Sequence, residues 1–409
     1  MSVLFWAGFC FWISLASLLP TLPLYVRDIG GSPQQVGWVM GAFAIGLLGS
    51  RKWLGGLTDR HSRKIVLIIG MLVAAIAPLG YAFCSNIGLL MVLRAFHGIS
   101  IAAFATASST LVVDLSPPER RGQILGYMSL VQPIGVALGP AIGGVMQAQL
   151  GYLSLFLTSA LLAVVGLFCV GFVYDPMLAQ AKPLSFKTFF PGKIDPVAGV
   201  PDSFWQRLEE RRLQIPAVVM LLVGLAFGNV AAYIPLFMRQ EVPGLNAGMF
   251  YTAAAFSSFG MRLVTGKASD RWGRGLFITF SLFCYVLSMA MLWLAHSEMS
   301  FIWAGLLEGA GGGILIPMMA ALLADRSQLH ERGRVFSLCM AGFDLGIAIA
   351  GPVFGFGAAD WGYRHLFGLA GGCAGLGFLL FLTCNGKSPK QSLAFAFGRG
   401  RDGYAIPQA

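Results

Sequence analysis

The chain has 409 residues, of which 56% are hydrophobic and only 11% charged, with a mean hydropathy of +0.73. A soluble domain carries about 25% charged residues, so this composition sets aside a soluble helical protein and leaves a polytopic membrane protein. The net charge of +10 sits in the connections between apolar runs, which fits a membrane topology signal and argues against nucleic acid as a partner.

A helix needs about 20 apolar residues to cross a bilayer. Twelve such runs occur, near 3–26, 36–56, 65–84, 88–113, 123–148, 152–174, 215–238, 247–267, 276–295, 300–324, 335–358 and 363–384. They predict an all-α integral membrane fold. The first run, MSVLFWAGFCFW, has no basic segment ahead of it and reads as a span rather than a cleaved signal. The runs divide six and six. Residues 1–174 form an N-terminal six-helix bundle, 175–214 a cytoplasmic linker, 215–384 a C-terminal bundle, and 385–409 a cytoplasmic tail that reads as disordered. Within the linker, DSFWQRLEERRL (202–213) fits an interfacial helix and a plain solvated linker equally well.

Twenty-four of the 28 Lys and Arg residues fall in one set of connections and the tail. Arg27, Arg239 and Arg364 lie on the opposite side, and Arg94 is inside a run. This asymmetry places both termini in the cytoplasm. The seven cysteines sit in apolar runs with no CxxC pair, and the five histidines show no metal-ligand spacing. No metal site and no nucleophile–base set point to an enzyme.

Between the second and third runs lies GGLTDRHSRK (55–64), and between the eighth and ninth GKASDRWGRG (266–275). One offset, 211 residues, relates them. It carries Gly55 to Gly266, Asp59 to Asp270, Arg60 to Arg271 and Arg63 to Arg274, and further along Gly98 to Gly309 and Asp114 to Asp325. The chain is therefore a tandem repeat of a six-helix unit. Six is even, so both copies share one orientation, as in secondary transporters whose site lies between the halves.

On these residues the chain resembles the major facilitator superfamily, specifically its twelve-helix drug:proton antiporter-like group. Residues 55–64 resemble the family's Gly-x-x-x-Asp-Arg-x-Gly-Arg-Lys/Arg signature, with Ser62 in place of the second glycine and Gly273 kept in the repeat. LRAFHGIS (93–100) resembles Arg-x-x-Gln-Gly, with His97 where Gln is usual. GVALGPAIGG (135–144) matches the antiporter-associated Gly-x-x-x-Gly-Pro-x-x-Gly-Gly in full, through Gly135, Gly139, Pro140, Gly143 and Gly144. PTLPLYV (20–26) resembles the Pro-x-x-Pro element of drug:proton antiporters. The resemblance implies alternating access, export driven by a proton gradient without a cofactor, and a cytoplasmic gate built from the two charged clusters. It implies a multi-pass inner (plasma) membrane protein that works as a monomer on a small-molecule substrate.

The residues support roles beside that resemblance. Arg60 or Arg63 can reach Asp114, and Arg271 or Arg274 can reach Asp325. Four ionisable residues lie inside runs: Arg94, His97, Glu308 and Asp344. An Arg or Asp at mid-helix costs roughly 2.5–3.5 kcal/mol to insert, so such residues mark substrate or proton paths. Glu308 lies 211 residues after His97 and is the first candidate for proton coupling, with Asp344 second. The first run holds no Asp or Glu. Ser17, Thr21, Gln132, Asn229 and Tyr233 are candidates for the substrate cavity. The favoured function is proton-coupled export of small amphipathic or lipophilic compounds. The alternatives are a carrier of a sugar, metabolite, siderophore or lysolipid and, from another class, a membrane enzyme or a sensor.

Overall fold

An apolar run in hydrocarbon has no water to satisfy its backbone, so it closes its own hydrogen bonds as a helix. The computed structural model describes residues 1–117, 120–175, 210–328 and 332–406, with backbone alone for Lys52, Asp59, Arg60, Arg121, Gly122, Gln123, Lys267, Asp270, Arg332, Gly333 and Arg334. The helices are α1 (Ser2–Ser17), α2 (Leu22–Asp28), α3 (Pro33–Arg60), α4 (Arg63–Phe83), α5 (Ile87–Leu115), α6 (Arg121–Ser129) and α7 (Val131–Gly171). After the linker come α8 (Arg211–Glu241), α9 (Gly248–Trp272), α10 (Arg274–Trp293), α11 (Glu298–Asp325), α12 (Arg332–Cys384) and α13 (Pro389–Ala396). The interfacial-helix reading of 202–213 falls almost wholly outside the described residues.

Among the described residues, eight helical stretches are long and apolar enough to cross a membrane. Two of them, of 48 and 50 residues, are twice the length one crossing needs. Each breaks at a glycine of positive φ, Gly151 at 81° and Gly362 at 75°. A side chain is strained in that conformation, and glycine is not. The two breaks lie 211 residues apart, so the repeat read from the charges is also a repeat of backbone shape. The remaining spans are α3 and α9, which carry the charged clusters at their ends.

Packing repeats as well. In the first half, α1 packs on α7, and α5 on α3 and α4; in the second, α8 packs on α12, and α11 on α9 and α10. A Cβ at Gly98 would strike the carbonyl of Phe43, and a Cβ at Gly309 would strike that of Ala254. Both partners of the second contact lie 211 residues after those of the first. Large apolar side chains such as Phe83, Phe168, Phe256 and Leu294 point outward, as a lipid-facing surface requires.

The tail differs from expectation. Residues 389–396 form a helix, capped by Ser388 accepting from Gln391 N. Arg326, fully buried, holds the segment beyond it. Its Nε and Nη2 donate to Asp402 at 2.7 and 2.9 Å, Nη1 to Arg212 O, and Nη2 also to Asn385. Tyr404 lies 5.2 Å under the guanidinium, and Ile406 N donates to Asp325 O. Low hydropathy suggested disorder; one buried bidentate ion pair supplies the order that apolar burial does not.

Candidate functional site

The two halves meet along two seams, α3 against α12 and α7 against α9. Small residues permit the approach. A Cβ at Gly37 would run into the carbonyl of Gly351, and the reverse holds too; Gly41 meets Ala348 O in the same way. Tyr233 from α8 closes this seam. Its hydroxyl donates to Gly351 O at 2.7 Å and lies 3.3 Å from Pro33 O. Tyr233 therefore serves the contact between halves rather than facing an open cavity. Close by, Asp28 accepts from Arg239 at 2.7 Å and from the Tyr152 hydroxyl at 2.5 Å. Asp28 and Arg239 are themselves 211 residues apart, so this ion pair joins equivalent ends of the two halves. These contacts gather at the end of the molecule away from the charged clusters.

The helix carrying GVALGPAIGG has two working faces. Gly135, Gly139 and Gly143 lie against α1, at Trp12, Ala16 and Ser17. Pro140 and Gly144 lie against the other half, where Gly248 meets the Pro140 carbonyl and Asn246 fills the space at Gly144. The small-xxx-small spacing lets backbones approach closely. One helix thus packs tightly on its own half and on the opposite half.

At the cluster end, Arg63 Nε lies 2.9 Å from Asp114, and Arg274 pairs with Asp325. Each arginine also donates to a backbone carbonyl of its own half, Arg63 to Thr58 and Arg274 to Ala321. In the second half, Arg274 rather than Arg271 makes the contact with Asp325. Arg271 is exposed. The side chains of Asp59, Arg60 and Asp270 lie outside the described residues. The departure at Ser62 also has a reason. Gly273 takes φ 87°, whereas Ser62 is extended at φ −163° and caps α4 by accepting from Ile65 N. Its hydroxyl donates to Asp175 at 2.6 Å, so here a cap replaces a turn.

The four ionisable residues inside the spans occupy four different settings. Asp344 pairs across the halves with Arg51 at 2.9 Å. Arg94 stacks 4.3 Å from the Phe43 ring, with Nε and Nη1 buried and unpartnered. His97 Nδ1 lies 3.1 Å from the Tyr81 hydroxyl. Glu308 is 7% exposed inside the second half. Ser17 and Thr21 donate back along their own span, to Ser14 O and Ser17 O. Asn229 is fully buried with both amide atoms unpartnered, while Gln132 is exposed.

The sequence profile described as Major Facilitator Superfamily matches residues 4–304 and 216–401. The chain belongs to this superfamily. It is a multi-pass membrane transporter, not an enzyme. A relative in Salmonella paratyphi C, multidrug resistance protein MdtG, is 28% identical over 92% of this chain and 92% of its own length. A Lactococcus lactis relative, a multi-drug resistance efflux pump PmrA homolog, is 24% identical over 87% of each chain. Among solved structures, the nucleoside transporter NupG superposes with a TM-score of 0.76 at 14% identity, over 93% of this chain and 97% of that one. A bacterial homolog of the human lysosomal transporter Spinster, inward-facing and unoccupied, gives 0.69 at 14% identity, over 97% of this chain and 91% of its own. These structural likenesses establish the superfamily fold alone.

Sequence reading missed several cross-half residues. Arg51 reads from the sequence as a topology charge and the repeat partner of Arg262, Arg239 reads as a topology charge, and Asp28 carries no assignment. The 211-residue spacing of Asp28 and Arg239 was available as a signal, but one is acidic and the other basic, so a search for like residues passes over it.

Proposed function

We propose that this superfamily member is a proton-coupled antiporter that exports small amphipathic or lipophilic compounds by alternating access. The observation that carries the reading is the helix of residues 135–144. It packs on α1 through one set of glycines and on α9 of the other half through Pro140 and Gly144. Its sequence is the antiporter-type signature, and the named relatives are multidrug resistance and efflux proteins.

The chemistry follows from the two ends. At one end glycine seams, Tyr233 and the Asp28–Arg239 pair hold the halves together. At the other, the Arg63–Asp114 and Arg274–Asp325 pairs lock the charged clusters of each half. On this reading the cluster end faces the cytoplasm with both termini, in the inner (plasma) membrane. Rocking of one half on the other opens each end in turn. The proton gradient is the energy source, and no cofactor takes part. Glu308 takes up and releases the coupling proton, while Arg51 and Asp344 join the halves across the path. The working unit is one chain of two bundles, 1–174 and 215–384, joined by a linker.

Inverted membrane vesicles with an imposed proton gradient test this directly. The reading expects gradient-dependent uptake of lipophilic dyes and no such uptake of sugars or lysolipids. Uptake of a sugar or lysolipid with no response to dyes would overturn the substrate class.

A further inference from the structure

Glu308 makes no hydrogen bond and no ion pair among the described residues. It lies on α11 between Gly305 and Gly309, and both glycines touch the backbone of α9, at Phe250 and Ala254. Tyr251 follows Phe250 on α9. The same seam therefore holds Tyr251 and Glu308 at one level. Tyr251 is 8% exposed, and its hydroxyl is buried without a hydrogen-bond partner. A buried, unpaired hydroxyl is costly, and native structures rarely keep one without a use.

A second tyrosine comes from α10. Tyr285 is buried, and its hydroxyl lies 3.1 Å from the point where a Cβ on Gly312 would stand. Glu308 Oε1 lies 3.9 Å from that same point. Gly312 thus leaves a small gap into which one hydroxyl and the carboxyl both project. The first half shows the comparable contact already made, since Tyr81 from α4 lies 3.1 Å from His97. His97 precedes Glu308 by the repeat offset. Each half sets a tyrosine against the ionisable residue at this place.

We propose that Tyr251 and Tyr285 are positioning residues for a proton site on Glu308: their hydroxyls donate to its carboxylate once the proton has left. The inference rests on the reading of Glu308 as the coupling residue. In loading, a hydronium gives its proton to a carboxylate oxygen and leaves as water. In release, the proton returns to water on the other side, and the two hydroxyls take its place as donors. No other bond forms or breaks. Hydrogen bonds to a charged group are stronger than neutral ones, so the hydroxyls favour the released state without adding a charge.

Infrared difference spectra of the purified protein, taken after a pH jump, test this without a substrate. A protonated carboxyl gives a carbonyl band that disappears on ionisation, so the pH at which the band is lost reports how well the carboxylate is stabilised. The natural protein should show such a band, and Glu308→Gln should remove it. Tyr251→Phe with Tyr285→Phe should keep the band but raise the pH at which it is lost. Gly312→Ala, which fills the gap, should raise that pH as well. Ethidium uptake into inverted vesicles gives the second readout. The double Phe variant should lose about tenfold or more of gradient-driven uptake, as expected when hydrogen bonds to a charged group are removed, and should keep downhill exchange within about twofold. Equal loss of both kinds of transport would indicate a merely structural role and overturn the proposal. A band removed by Glu308→Gln but lost at the natural pH in the Tyr and Gly312 variants would overturn the tyrosine roles and leave Glu308 standing. A band that survives Glu308→Gln would overturn both.

Discussion

Arg51 Nη1 lies 2.9 Å from Asp344 Oδ2, and the two residues belong to different halves. Asp344 is 5% exposed, while the Arg51 side chain keeps 33% of its surface in contact with the outside. The pair therefore joins a buried acid on α12 to a half-buried base on α3. Arg51→Gln and Asp344→Asn should each slow dye export about tenfold, a loss of about 1.4 kcal/mol. The exchanged pair, Arg51→Asp with Asp344→Arg, should recover most of that rate. A double variant as poor as the singles would show that the charges act separately.

The far-end seam gives a second prediction. Gly37→Val puts a side chain where the Gly351 carbonyl and the Tyr233 hydroxyl now stand. Packed interfaces resist added volume, at a typical cost of about 1–3 kcal/mol, so the halves should separate at this end. Export should be lost. A cysteine placed at Asn229, fully buried here, should label faster with a membrane-impermeant reagent added from the far side. Unchanged labelling would mean that this seam does not gate.

Arg326 makes a stability prediction. Asp402→Asn leaves a fully buried guanidinium without its counter-charge, and breaking such a pair costs about 3–5 kcal/mol. Thermal unfolding in detergent should fall accordingly. Arg326→Met combined with Asp402→Leu should unfold close to the natural protein, because replacing both members of a buried pair by apolar residues is often neutral. If Asp402→Asn unfolds at the natural temperature, the tail is not held by this contact.

The charged clusters give the fourth. Asp114→Asn and Asp325→Asn remove the acids that Arg63 and Arg274 meet, one in each half. Both should slow transport while insertion into the membrane stays normal, since every basic residue remains. Asp59→Asn should do the same, with a smaller effect for Asp270→Asn. Normal transport in all four would reduce the clusters to topology signals.

Much of this architecture was legible because membrane folds are written in hydropathy and charge. The apolar runs became helices, and the 211-residue offset returned as the paired breaks at Gly151 and Gly362 and as the Arg63–Asp114 and Arg274–Asp325 contacts. What could not be read was which face a residue presents. Tyr233 was placed among cavity candidates by its polarity, yet its hydroxyl bonds a carbonyl across the halves. Ser17 and Thr21 bond carbonyls of their own span, which no spacing rule distinguishes from a cavity role. The tail reads as disordered by composition, yet a single arginine just past α11 orders it. Composition averages over such contacts; a buried ion pair depends on two residues 76 positions apart.

The central claim is that a proton moved through Glu308 drives export. The most direct measurement is ethidium accumulation in inverted vesicles, with and without an imposed proton gradient, in the natural protein and in Glu308→Gln. The account predicts that Glu308→Gln keeps downhill exchange of ethidium and loses gradient-driven accumulation. Undiminished uphill accumulation by Glu308→Gln, with the natural dependence on the gradient, would contradict it.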